Sequence, residues 1–144
     1  MHKADFERLL ATRSRGRSAH FAVHHVNAEP LPVAPHRGRL RGTELSTDVP
    51  GVQPEHVDNM PRSQWLGCMV PKRQARRAVT RNQLKRQMRD SFRRHAAALP
   101  KGLWLLRLHA GFPRPDYPSA RSTALAEAVR AELDRLLLAA ARPR

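Results

Sequence analysis

Cysteine is almost absent from this 144-residue chain: Cys68 stands alone, which excludes a disulfide framework and a cysteine-based zinc site. Aromatic residues make up only 5% (Phe6, Phe21, Trp65, Phe92, Trp104, Phe112 and Tyr117), so the core must rest on Leu, Val, Ala and Met. Acids are scarce, with 12 Asp and Glu against 27 Lys and Arg, a formal charge of +15. Such an excess repels itself and is relieved by a polyanion. Nucleic acid is therefore the leading partner class, with an anionic membrane surface as the rival. No apolar run approaches the roughly 20 residues of a membrane span, so a transmembrane protein is excluded. Residues 1–10 contain no apolar stretch of signal-peptide kind, and a cytoplasmic setting is expected.

What is present divides the chain into short elements within one domain, 1–144. Phe6, Leu9 and Leu10 recur at helical spacing and predict a helix over residues 3–11. Residues 13–18 are basic and carry Gly16, which reads as a flexible turn. Phe21, Val23 and Val26 favour a strand. Residues 27–61 hold six of the twelve prolines and show no apolar period, which predicts a disordered insertion. Residues 65–70 and 104–108 are apolar runs suited to buried strands. Leu125, Val129, Leu133, Leu136 and Leu137 mark a last helix, with Ser122 or Thr123 as its cap. Residues 139–144 are expected to form a flexible tail. The order is helix, strand, insertion, strand, helix, strand, helix. The strand–helix–strand unit favours parallel strands, and the economical fold is α+β, a single sandwich of a mixed sheet and three helices.

Residues 72–94 hold ten basic residues and one acid, Asp90, a net +9 of the chain's +15. Leu84, Met88 and Phe92 form one helical ridge, while Arg81, Lys85, Arg89 and Arg93 form a second, about 60° away around the axis. Like charges four residues apart destabilise an isolated helix by a few tenths of a kcal/mol per pair. The cationic row therefore calls for a countercharge, and its spacing of about 5–6 Å can follow a phosphate backbone. A basic helix on an anionic membrane is disfavoured by the narrow apolar side, which lacks Trp. A helix-turn-helix is disfavoured because the preceding residues read as strand.

Residues 72–93 resemble the signature of the bacterial ribonuclease P protein family. The carrying residues are Lys72-Arg73, Ala78, Arg81-Asn82, Lys85-Arg86 and Arg89-Asp90-Ser91-Phe92-Arg93. Departures from the pattern are Gln83 in place of an Arg, Arg73 in place of a Lys, Pro71 in place of a small residue, and His24 and Leu10 in place of aromatics. The resemblance spans about residues 1–26 and 64–138 and leaves the insertion outside.

It implies an α/β sandwich of about four strands with a left-handed crossover, and a protein subunit whose RNA partner is the catalyst. The implied reaction is hydrolytic removal of the 5′ leader of precursor tRNA, with Mg2+ bound mainly by the RNA. No catalytic group and no metal ligand is then expected in the protein, no further protein is required, and no membrane is involved. The residues agree, since they offer no carboxylate pair at motif spacing, and the adjacent pair His24-His25 points to opposite sides of a strand. Lys72, Arg73, Arg76, Arg77, Arg81, Asn82, Lys85, Arg86 and Arg89 are implied contacts to the catalytic RNA. Phe6 and Phe21 are candidates to stack on leader bases, aided by His24, with Arg13, Arg15 and Arg17 extending the track; Phe21 suits core packing equally well. The rival from another class is a basic RNA-binding module of ribosomal-protein type.

Overall fold

The computed structural model describes residues 1–32, 62–113, 117, 119 and 122–143. Among these, the chain forms α1 (Lys3–Ala11), β1 (Gly16–Arg17), β2 (Phe21–Val26), β3 (Gln64–Met69), α2 (Ala78–His95), β4 (Gly102–Leu108) and α3 (Thr123–Ala141), with a 3-10 turn at Ala96–Ala98. The four strands make one mixed sheet in the order β1-β2-β4-β3. β4 runs antiparallel to β2 and parallel to β3, as the strand–helix–strand reading requires. The two-residue β1 was expected as part of a turn. It pairs Gly16 with Val23 and Arg17 with Ala22, a register too short to leave a periodic signal.

Side-chain alternation divides the sheet's contents. Phe21, Val23, Trp104, Leu106 and Leu108 face α2 and α3 and are buried together with Leu84, Met88, Phe92, Leu133 and Leu137. Leu103 and Leu105 face the other way, beneath Leu9 of α1. Trp104 is fully buried. Its indole N–H donates to the Pro100 carbonyl at 2.9 Å, so the one polar atom of this large side chain is satisfied inside the core.

Local chemistry sets the helix ends. Asp5 closes a capping box on His2, accepting its backbone N–H at 2.9 Å, and also accepts the Leu31 N–H at 2.9 Å. Burial works against the Asp5 charge, but these backbone donors outweigh it and hold the carboxyl below the usual range. Ser122 caps α3 by accepting the Leu125 N–H at 3.1 Å, one of the two caps expected. At its other end α3 continues to Ala141, and Ala140 is 1% exposed. The expected tail at 139–144 is thus corrected: its first three residues are helical, because the helix lies against the Arg15 side chain, which donates to the Ala140 and Arg142 carbonyls.

The expected insertion, 27–61, lies outside the described residues from 33 onward. Its ends are held together. Glu29 accepts the Arg62 N–H at 3.3 Å, and Ser63 accepts the Gly102 N–H at 2.9 Å. Closing a long excursion between fixed ends adds only slowly to its entropic cost. Replacing residues 34–60 by a short Gly-Ser link is expected to keep cooperative urea unfolding, with a midpoint near that of the full chain; a broad, non-cooperative transition would show the segment to be structural.

Glu132 of α3 gathers the β1–β2 turn. It accepts the Ser18 hydroxyl, the His20 backbone N–H at 2.7 Å and the His20 ring Nδ1 at 2.7 Å. Burial raises its proton affinity, yet the Ser18 and His20 donors outweigh this and hold it below the ordinary glutamate value. A depressed carboxylate stabilises the fold above its unfolded pKa, and that contribution disappears as pH falls through the folded pKa. Glu132→Gln should therefore cost on the order of 2 kcal/mol at pH 7. The gap between the two melting temperatures should narrow as the pH is taken below about 4.5, the ordinary glutamate value.

Candidate nucleic-acid interface

α2 is held by one ridge and exposes another. Leu84, Met88, Ser91 and Phe92 are buried. Asn82, Arg86 and Arg89 are exposed, and Arg81 and Lys85 are half-buried beside them. Lys85 and Arg89 lie near Cys68 of the edge strand β3, where their charge favours the thiolate; burial outweighs it and pushes the Cys68 thiol up to about 11. The lone cysteine is thus a neutral packing residue, and the cationic row runs along the edge of the sheet.

The residues before α2 were expected to belong to the helix or its lead-in, and they form the lead-in. Gln74 and Ala75 donate back to the Pro71 carbonyl at 3.0 and 3.2 Å, and Ala75 is buried. This tight turn leaves Lys72, Arg73, Arg76 and Arg77 exposed on one end of the helix. Arg81 holds the turn in place, donating to the Ala75 carbonyl at 3.1 Å and the Arg76 carbonyl at 2.6 Å. It therefore positions the lead-in arginines as well as carrying charge. α2 starts at Arg77 without a side-chain cap and without an acid in its first turn. The positive end of the helix dipole thus coincides with the cationic cluster.

Few of these charges are neutralised. Of the ten basic residues in 72–94, ion pairs among the described residues reach only two. Arg94 meets Asp134 of α3 at 2.7 Å, and Arg93 stands 3.9 Å from Asp90. Burial opposes the Asp134 charge, but Arg94, Ser91 and His95 outweigh it and keep the carboxyl below the usual range. That cluster ties α2 to α3 and takes Arg94 out of the free row.

Of the residues expected at a leader site, the structure brings only part to the opposite face of the sheet. Phe6 lies over Gly67 of β3, where an added Cβ would stand 2.8 Å from its ring. Trp65 and Met69 lie half-buried in the same cluster as Phe6. Arg13 and Arg17 are exposed. Phe21 is corrected to the core: it is 0% exposed and points to α2 and α3, because odd-numbered residues of β2 face that side. His24 is on the α1 side but only 7% exposed, with Nδ1 3.1 Å from the Thr12 carbonyl, so it supports the exit of α1 instead of meeting a base. Arg15 turns to the other face, where its guanidinium reaches the end of α3, approaches His25 Nδ1 at 3.1 Å and lies 5.6 Å from the Trp104 ring centre.

Two residues missing from the expected set belong to this face. Trp65 pairs with Leu103 in register, and Arg107 pairs with both Met69 and Ala22. Since Ala22 in turn pairs with Arg17, the side chains of Arg17, Ala22, Arg107 and Met69 make one transverse row on the α1 side. The Arg107 Nε is buried without a partner among the described residues. Its signal in the sequence is a lone charge inside an apolar strand, which alternation assigns to a face that is not sealed.

No three His, Cys, Asp or Glu side chains among the described residues converge as a candidate metal site. No helix among the described residues is long and apolar enough to cross a membrane.

The fold and the site define a class: a small α+β protein with a cationic helix, largely without acidic partners among the described residues, on one edge of a mixed sheet and a partly open, partly aromatic surface on its far face. A family model described as Ribonuclease P matches residues 1–136, and the chain belongs to that family. It is 44% identical over 81 residues to the ribonuclease P protein component of Burkholderia pseudomallei, covering 56% of this chain and 60% of that one. It is 42% identical over 78 residues to that of Bordetella parapertussis, covering 54% and 59%. The chain thus matches about three fifths of the length of these relatives. The Staphylococcus aureus RNase P protein has a similar fold, with a TM-score of 0.54 at 18% identity, covering 96% of this chain and 90% of that one.

Gly67→Ala would drive a methyl group into Phe6. The substitution is expected to cost about 1–3 kcal/mol and to be read as a lower urea midpoint. Combining it with Phe6→Ala should recover part of that loss if the ring is the obstruction.

Proposed function

We propose that this chain acts as the protein subunit of ribonuclease P, binding the catalytic RNA and the 5′ leader of precursor tRNA. The observation that carries the reading is the face formed by α2 and its lead-in, where eight of the ten basic residues in 72–94 have no acidic partner among the described residues while the neighbouring ridge is locked in the core. A face of this kind is unfavourable until phosphates supply the missing countercharge, and each phosphate neutralised releases counterions. Lys72, Arg73, Arg76, Arg77, Asn82, Lys85, Arg86 and Arg89 are the contacts to the RNA subunit, with Arg81 setting the turn among them.

The leader runs across the α1 side of the sheet. Phe6 and Trp65 offer ring faces for stacking there, and Arg13, Arg17 and Arg107 offer charge to the backbone. The protein contributes position and electrostatic potential, not reacting groups. Mg2+ belongs to the RNA, where it supplies activation of water and stabilisation of the leaving oxygen. Positive charge beside the scissile bond lets the RNA fold and retain its ions at lower magnesium concentration. Location in the cytoplasm follows from this role.

Two measurements test the reading. The chain, added to a catalytic RNA of the family at low magnesium, should stimulate 5′ processing of precursor tRNA; absence of stimulation there overturns it. Arg86→Ala with Arg89→Ala should weaken binding to that RNA and lower the slope of log affinity against log salt by about 2. An unchanged slope would show that these residues do not face RNA.

A further inference from the structure

Beside the start of α2 lies a cavity of about 400 Å3, bordered by the lead-in arginines but separate from the Lys85–Arg89 row and from the α1 side of the sheet. Its floor is apolar, formed by Leu84 of α2 and Leu125 of α3, and its outer wall is aromatic, formed by Phe112 and Tyr117. Its rim is cationic, with Arg73, Arg76 and Arg77 around the opening.

The walls are held in place from several directions. One face of Phe112 is stacked on His20, with ring centres 4.0 Å apart and planes 15° from parallel. Tyr117 meets Phe112 edge-on at 5.6 Å, with planes 84° apart. Gln74 closes the side wall by accepting the Gly111 N–H at 3.0 Å. Gly111 permits this approach, since a Cβ there would stand 2.5 Å from the Gln74 carbonyl oxygen. The rim arginines are exposed and have no ion-pair partner among the described residues. The aromatic wall is thus braced against His20, and the arginine rim is fixed by Arg81.

We propose that this cavity receives one unpaired nucleotide of an RNA strand, its base against the aromatic wall and its phosphate on the arginine rim. The size falls within the range of small-ligand pockets, about 300–1,000 Å3. The division of chemistry is the decisive feature. An apolar aromatic wall takes the flat face of any base, and a guanidinium cluster takes phosphate in bidentate fashion. The amide nitrogen of Gln74, whose oxygen is engaged by Gly111, is a donor at the side wall for a base carbonyl. The lead-in arginines of the cationic helix also line the cavity, so the two surfaces adjoin. This inference rests on the RNA-binding reading above and adds a specific anchor to an otherwise sequence-neutral electrostatic surface.

The test uses the full chain. In an NMR titration with adenosine 5′-monophosphate, amide shifts are expected at Ala75, Thr80, Phe112 and Leu125, and not at Gly67 or Leu105. Thr80→Phe fills the cavity and Tyr117→Ala removes a wall, and neither alters charge. Each should weaken binding of the catalytic RNA by about fivefold or more, the loss of one stacked base, without changing the salt slope. Shifts confined to exposed arginines, or both variants binding RNA as the parent does, would overturn the proposal. The Arg86/Arg89 double variant, measured alongside, separates the two readings. If it loses affinity and slope while the cavity variants do not, only the nucleotide anchor falls. If it loses neither, the RNA-binding reading falls with it.

Discussion

Burial of Leu84, Met88 and Phe92 is the interaction on which the rest depends. α2 carries basic residues four apart on its neighbouring ridge, has no acid in its first turn and lacks a side-chain cap. As an isolated helix it would be opposed by its own charges and by its dipole. Packing against the sheet and α3 supplies what the helix lacks, since fully burying one such side chain contributes roughly 1.5–3 kcal/mol. The same contact orients the helix. With the apolar ridge facing inward, Arg86 and Arg89 face outward, and the lead-in turn places four more bases at the positive end.

The two faces of the sheet then do different work. One is sealed by α2 and α3 and contains Phe21 and Trp104 with no surface left to meet a ligand. The other is covered only in part by α1, and keeps Phe6, Trp65 and Met69 half-buried. The mixed sheet thus has one sealed face and one partly open face. Small polar clusters tie the pieces together. Glu132 fastens the β1–β2 turn to α3, Asp134 fastens α3 to α2, and Asp5 fastens α1 to the chain beyond β2.

Much of this was legible in the residues. Period-four repeats marked α2 and α3, and a short apolar run marked β4. The cationic row was legible because helical geometry converts spacing directly into a shared face. The α1 side of the sheet was harder to read. Phe21 and Phe6 are both aromatic residues near the start of the chain, and composition does not say which side of the sheet each meets. Arg15 and Arg17 differ by two positions in a basic turn. One ends against the carbonyls of α3, about 125 residues away in sequence, and the other stays exposed on β1. Such long-range partners leave no local pattern.

The sequence by itself determined the elements, their order, the place of the charge excess and the family signature in α2, because propensity and periodicity act over neighbouring residues. Tertiary structure alone decided which of the nominated residues are available. Register put Arg107 in line with Arg17 and Met69, strand parity buried Phe21, and packing of the segment after β4 onto the start of α2 made the aromatic cavity. Each of these depends on residues far apart in the chain being brought to one surface, and that is fixed by which apolar faces can be buried together. The charge excess is therefore a local property in sequence, but becomes one exposed cationic face only when the ridge beside it is packed away.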